Sequence, residues 1–198
     1  MNNPTNKNGN EGIGRYRPKL SFYHPNARGT GCAVKMELHP AHDSVDGSIM
    51  MTVANQMTVG DRRGPNPTFP RFDWKEAIVV KLDFNDLCHL LQVLRGECES
   101  VNDGKGLYHR STQGSTCIKF RHLIEPVAGY SLELYRRSLN GNDERSSCIV
   151  FSSAESTGLG EAISGAMAIV GFGIPMLVSH DTTAYKAEMK ELQDGSQD

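Results

Sequence analysis

Between Gly31 and His39, apolar and polar positions alternate without a break. Cys32, Val34, Met36 and Leu38 fall on one side, and Ala33, Lys35, Glu37 and His39 on the other. A period of two is the mark of a half-buried strand. Looser alternation predicts a strand before it, Arg15 to His24, and one after it over 48–57, while Ala77 to Asp83 predicts a fourth. The period then changes. Leu87, Leu90, Leu91 and Leu94 recur at helical spacing, with Asp83 or Asn85 placed to cap the helix and Gly96 to close it. After the turn Asn102-Asp103-Gly104, strands are predicted near 106–112, 115–125, 129–137 and 146–152. Ser152-Ser153-Ala154-Glu155 is a capping-box start to a second helix. Its stripe is Leu159, Ile163, Ala166, Met167 and Val170, and it ends at Pro175. Two runs of four strands, each followed by a helix, make an α+β chain of antiparallel sheets with the helices to one side.

A repeated phrase supports this duplication. Tyr23-His24 and Tyr108-His109 are each followed, after four residues, by Gly, then Ser or Thr, then Cys and Lys. The offset of 85 residues is the same for the Tyr pair and for Cys32 and Cys117. Each copy reads as strand, Gly-containing turn, strand. The chain therefore divides into a polar, Asn-rich and disordered start (1–14), a domain over 15–177 with halves 15–97 and 98–177, and a flexible acidic tail (178–198).

Composition changes this picture little. At 198 residues the chain can bury a core without disulfides or metals. No apolar run is long enough to span a bilayer, and no signal or transit peptide is evident. Five cysteines, an odd number, favour reduced thiols and a cytoplasmic setting. The net charge of −2 is unevenly spread. Residues 15–137 carry 17 Lys and Arg against 13 acids, and residues 138–198 carry 3 against 9. A basic body with an acidic rear is compatible with one anion-binding face.

Enzyme chemistry finds no motif. There is no phosphate-cradling Gly-rich loop before a helix and no nucleophile elbow. His39, His42, Asp43 and Asp46 cluster, but Pro40 breaks any helical spacing and no second cluster completes a ligand set. Cys88-His89 on a helix is read as core and surface rather than as a nucleophile pair. No catalytic residue, metal or cofactor is expected. What remains is basic and aromatic residues on strands and loops. The long Gly60–Asp73 loop presents Arg62, Arg63, Phe69, Arg71 and Phe72 and leads into Trp74 and Lys75. The repeated turns present Tyr23, His24 and Arg28, then Lys105, Tyr108, His109 and Arg110, with Lys35, Lys81, Lys119 and Arg121 at polar strand positions. Cations that follow phosphates beside rings that stack on bases suit single-stranded nucleic acid. A sheet face that binds a polypeptide is the reading from another class.

The order of the pieces resembles the Whirly family of single-stranded-DNA-binding proteins. Gly29-Thr30-Gly31-Cys32-Ala33-Val34-Lys35 sits where that family has Lys-Gly-Lys-Ala-Ala-Leu, although only Arg28 precedes the glycine here. Gly47 to Thr52 is similar to its third strand, Phe72-Asp73-Trp74-Lys75 to its Tyr-Asp-Trp-Glu-Lys, and Leu107-Tyr108-His109-Arg110 to its Phe-Phe-His-Asp. The likeness covers about residues 19–177. More distantly, the plan resembles PUR-alpha-like and kinetoplastid guide-RNA-binding proteins. The resemblance implies two four-stranded antiparallel sheets packed crosswise with helices at one end. It also implies a homotetramer, and single-stranded DNA, or RNA, as the partner; no membrane partner is expected, since no apolar run is long enough.

Overall fold

The computed structural model describes residues 18–41, 45–61, 63, 65–112, 114–125, 128–141 and 143–174. The expected disordered start (1–14), the acidic tail (178–198) and Pro175 lie outside them. The first half forms β1 (Lys19–His24), β2 (Cys32–His39), β3 (Ser48–Thr58), β4 (Arg71–Phe72) and β5 (Ile78–Leu82), then α1 (Phe84–Leu94). The second forms β6 (Leu107–Ser111), β7 (Gly114–Leu123), β8 (Gly129–Ser138), β9 (Glu144–Ser152) and α2 (Ser153–Gly171). Both sheets are antiparallel. The second runs β6-β7-β8-β9, as expected. The first has five strands rather than four, because β3 is long enough to pair twice along one edge. Ile49 to Val53 pair with β5, and Gln56 and Thr58 with the two residues of β4.

Register builds the core. Phe22, Val34, Val53 and Ile78 are opposite one another across β1, β2, β3 and β5. Phe120, Leu132 and Ile149 do the same across β7, β8 and β9. These inner faces share one cluster with Leu87, Leu90, Leu91 and Val93 of α1 and Leu159, Ile163 and Val170 of α2. Phe151, fully buried, meets Phe22 of the other sheet edge-on at 4.9 Å. Non-directional burial of apolar area is what holds the layers together.

Both helices start on capping boxes. Asp83 Oδ1 accepts from the Asp86 N–H at 2.9 Å, and Asp86 Oδ2 accepts from the Asp83 N–H at 3.0 Å. Ser152 and Glu155 repeat the arrangement at α2. Gly96, at φ +72°, then closes α1: its N–H donates to the Val93 carbonyl, and that of Glu97 to the Gln92 carbonyl.

The two copies of the repeated phrase share spacing but not register. Tyr108 lies opposite Cys117, and β6 stays paired with β7 as far as Ser111 and Gly114. Tyr23 lies opposite Ala33, and seven residues separate β1 from β2. The longer loop is held by Gln56, which sequence pattern did not single out. Its Oε1 accepts from the N–H of Asn26 and of Gly31, and its Nε2 donates to the carbonyls of Asn26 and Thr58. All four bonding positions of this buried amide are filled.

Candidate nucleic-acid interface

Alternation sends Lys19, Ser21 and Tyr23 of β1 and Ala33, Lys35 and Glu37 of β2 to the outer face of the first sheet. Met50, Thr52 and Ala54 of β3, with Val79 and Lys81 of β5, complete it. A ring cluster lies on this face. Tyr23 is 5.7 Å from Phe72 and 6.4 Å from Trp74, and Phe72 is 6.5 Å from Trp74, between ring centres. Lys35 Nζ stands 5.6 Å over the indole and 3.2 Å from Glu37 Oε1. Trp74 keeps 39% of its surface exposed and Tyr23 keeps 55%. Ala33 and Ala54 are fully covered although they face outwards, as rings lying over small side chains would produce.

Strand β4 explains how a loop residue joins this group. The Asp73 N–H donates to the Asn55 carbonyl, and Asp73 Oδ1 accepts from the N–H groups of Lys75 and Glu76, fixing the turn around Trp74. The long loop is tied back on itself, since the Thr68 N–H donates to the Asp61 carbonyl and the Asp61 N–H to Thr68 Oγ1. Phe69, at 70% exposure, and Arg63 and Arg71 are on the surface beside it; Arg62 lies outside the described residues. Arg28 is exposed at the β1–β2 loop, where Asn26 Oδ1 accepts from its N–H.

The outer face of the second sheet carries a smaller version. Tyr108 is 75% exposed, and Lys105 and Arg110 are exposed near it. Lys119 Nζ lies 5.7 Å over Tyr135, whose hydroxyl donates to Glu133 at 2.7 Å. Arg121 meets the same carboxylate at 3.1 Å. Burial works to raise the Glu133 pKa. The bonds from Tyr135, Ser131 and Arg121 outweigh it, so Glu133 stays below its ordinary range. Tyr135 was not among the residues expected from sequence; as a β8 side chain it joins this group only through cross-strand register.

The two histidines of the repeated phrase take a different place. Counted in sequence among the surface cations, they instead point to helix caps, and each reaches the helix of the other half. His24 Nε2 is 2.7 Å from Glu155 Oε1 in the first turn of α2. His109 Nε2 is 3.3 Å from Asp86 Oδ2 in the first turn of α1. The second contact is off the hydrogen-bonding axis and acts as a charge pair; that buried nitrogen has no aligned partner among the described residues. Asp86 raises the His109 pKa above its ordinary value of 6.5, against the opposing effect of burial. For Asp86, burial works upwards, but His109 and the cap N–H of Asp83 outweigh it and the pKa falls. The repeated Tyr-His thus has a physical reading: tyrosine outwards to the open face, histidine inwards to clamp the opposite helix.

Among the described residues, no three His, Cys, Asp or Glu side chains gather as a metal site; His42 and Asp43 lie outside them. No described helix is long and apolar enough to cross a membrane.

No known family profile and no curated protein sequence matches the chain. Solved structures do. Whirly protein WHY1 of Arabidopsis thaliana superposes with a TM-score of 0.62 at 17% identity, over 79% of this chain and 92% of that one. WHY3 of the same plant gives 0.63 at 15%, over 93% and 99%. The trypanosome proteins MRP1/MRP2 give 0.51 at 16%, over 77% and 93%. A guide-RNA-binding protein complex bound to a gRNA also gives 0.51, at 15% identity, over 78% and 92%. The chain has the Whirly fold.

Proposed function

We propose that this Whirly-fold chain binds single-stranded DNA, with little sequence preference, as a non-catalytic homo-oligomer. The observation that carries this is the Tyr23–Phe72–Trp74 cluster with Lys35 over the indole, on the open face of a sheet. Rings left exposed beside a cation offer stacking surfaces for unpaired bases, each worth about 1–3 kcal/mol. Tyr23, Phe69, Trp74 and Tyr108 take bases, while Arg28, Lys35, Arg62, Arg63 and Arg71 meet phosphates on the first half. Lys105, Arg110 and Lys119 do so on the second. His24 and His109 support the hairpins from behind. RNA is the second reading, favoured by the gRNA-bound complex among the structural neighbours.

Self-association is supported by α2, whose exposed side carries Ala154, Gly158, Gly165 and Ala168 and leads to Phe172, 84% exposed. Small side chains allow close helix approach, and large exposed apolar ones favour a partner surface. A tetramer is the expected assembly.

Trp74 is the single tryptophan and therefore reports on its own site. Adding a single-stranded oligonucleotide at low salt is expected to quench its emission to saturation, with light scattering giving a mass of several chains. Unchanged emission at every oligonucleotide concentration, from a protein of single-chain mass, would count against the proposal.

A further inference from the structure

The internal duplication creates two grooves between the sheets, one at each hairpin. Where the β1–β2 loop meets β9, the groove is about 570 Å³ and is lined by Thr30, Asn55, Glu133, Tyr135, Ser146 and Cys148, with glycines. Where the β6–β7 hairpin meets β5, it is about 520 Å³. The two correspond, because β5 and β9 are each the last strand of their half and each pairs on one side only. Their chemistry is opposite. The first groove holds one carboxylate, Glu133, and no Lys or Arg. The second holds Lys81, Arg110 and Arg136. Its carboxylate, Asp83, is engaged as the α1 cap, and its His109 is turned to Asp86.

We infer that the groove between β5 and the β6–β7 hairpin is a phosphodiester subsite for a single strand, and that its duplicated counterpart is not. Two cations on opposite walls can hold one phosphate from both sides. Lys81 and Arg110 are exposed and have no ion-pair partner among the described residues, so both charges are available. The position also fits the ring cluster. Lys35, Thr52 and Val79 form one row across β2, β3 and β5, with Lys81 in the next row. Two strand spacings, about 10 Å, separate β2 from the edge where the groove opens. A strand stacked at Trp74 therefore meets the groove on leaving the sheet, and the duplicated fold offers it one cationic exit rather than two. This rests on the single-strand reading above and gives it a direction across the protomer.

The test is a salt series for binding of labelled oligo-dT and oligo-rU to the wild type, to Lys81→Gln/Arg110→Gln, and to Arg95→Gln at the far end of α1 as a charge control. Both groove side chains are exposed, so thermal melting of the double variant should match the wild type. Each phosphate contact contributes about 0.7 to the slope of log K against log[salt] for single strands. The double variant should lose about 1.4 of that slope on both oligomers, and Arg95→Gln none. Wild-type binding with an unchanged slope in the double variant would overturn the groove alone. No wild-type binding at all would overturn the nucleic-acid reading together with it.

Discussion

Replacing Trp74 with alanine will weaken single-strand binding by about 1–3 kcal/mol, roughly 5- to 150-fold, while leaving thermal stability within about 1 kcal/mol of the wild type. The asymmetry follows from where the ring sits. Trp74 belongs to the outer face, where 39% of it meets water, and it is absent from the shared core. Its neighbours Tyr23, Phe72 and Lys35 touch it from the same face, so deleting it removes a stacking surface and opens no cavity between the layers. Anisotropy titrations with an oligonucleotide, together with a melt, separate the two effects. Equal affinity for wild type and variant would mean the cluster is packing only. A collapse in melting temperature would mean it is part of the fold.

The second large effect is on stability. His109→Gln will destabilise the protein by about 1–2 kcal/mol near pH 5.5 and much less near pH 9, because it leaves the Asp86 carboxylate, 6% exposed, without its cation. The direction comes from both partners. His109 has a raised pKa, so its contribution is complete below about pH 6.5 and is lost as pH climbs through the folded value. Asp86 has a lowered pKa, so its contribution exists above its ordinary 3.8 and is lost as pH falls through its folded value. The pair therefore stabilises most between about pH 4 and 6.5. Melting temperatures of wild type and variant across pH 4–9 should converge at the alkaline end. A constant gap at all pH values would assign His109 a packing role instead.

Much of this architecture is written in local pattern. The alternation at Gly31–His39 and the leucine spacing of α1 have short-range causes, and the box at Ser152–Glu155 does too; each appears where the residues point. The same cannot hold for β4. Arg71–Phe72 is too short to show any period, and it becomes a strand only because β3 outruns β5 and leaves Gln56 and Thr58 an open edge. The rings of the candidate site were visible by residue type, but their grouping depends on that fifth strand. The histidines illustrate the opposite difficulty. Beside Arg28 and Arg110, their spacing suggests surface cations, yet each follows an outward tyrosine on a strand and must face in. Their carboxylate partners lie 131 and 23 residues away. Lys81 and Arg136 carry no sequence signal for a shared groove, since only the meeting of β5 with the second sheet brings them together.

The duplication also explains why one fold offers two unlike faces. Both halves keep the Tyr-His clamp, but on the second sheet Tyr135 and Arg121 are tied to Glu133, whereas on the first sheet Trp74 stays open to water beside Lys35, whose ammonium is shared with Glu37. Ligand contact should accordingly begin on the first sheet.

The most direct measurement is a competition between a single-stranded oligonucleotide and its own duplex for the full-length protein, repeated from low to physiological salt. The account predicts that the single strand wins at every salt concentration, with affinity falling steeply as salt rises. A preference for duplex, or binding of the single strand that salt does not weaken, would contradict it.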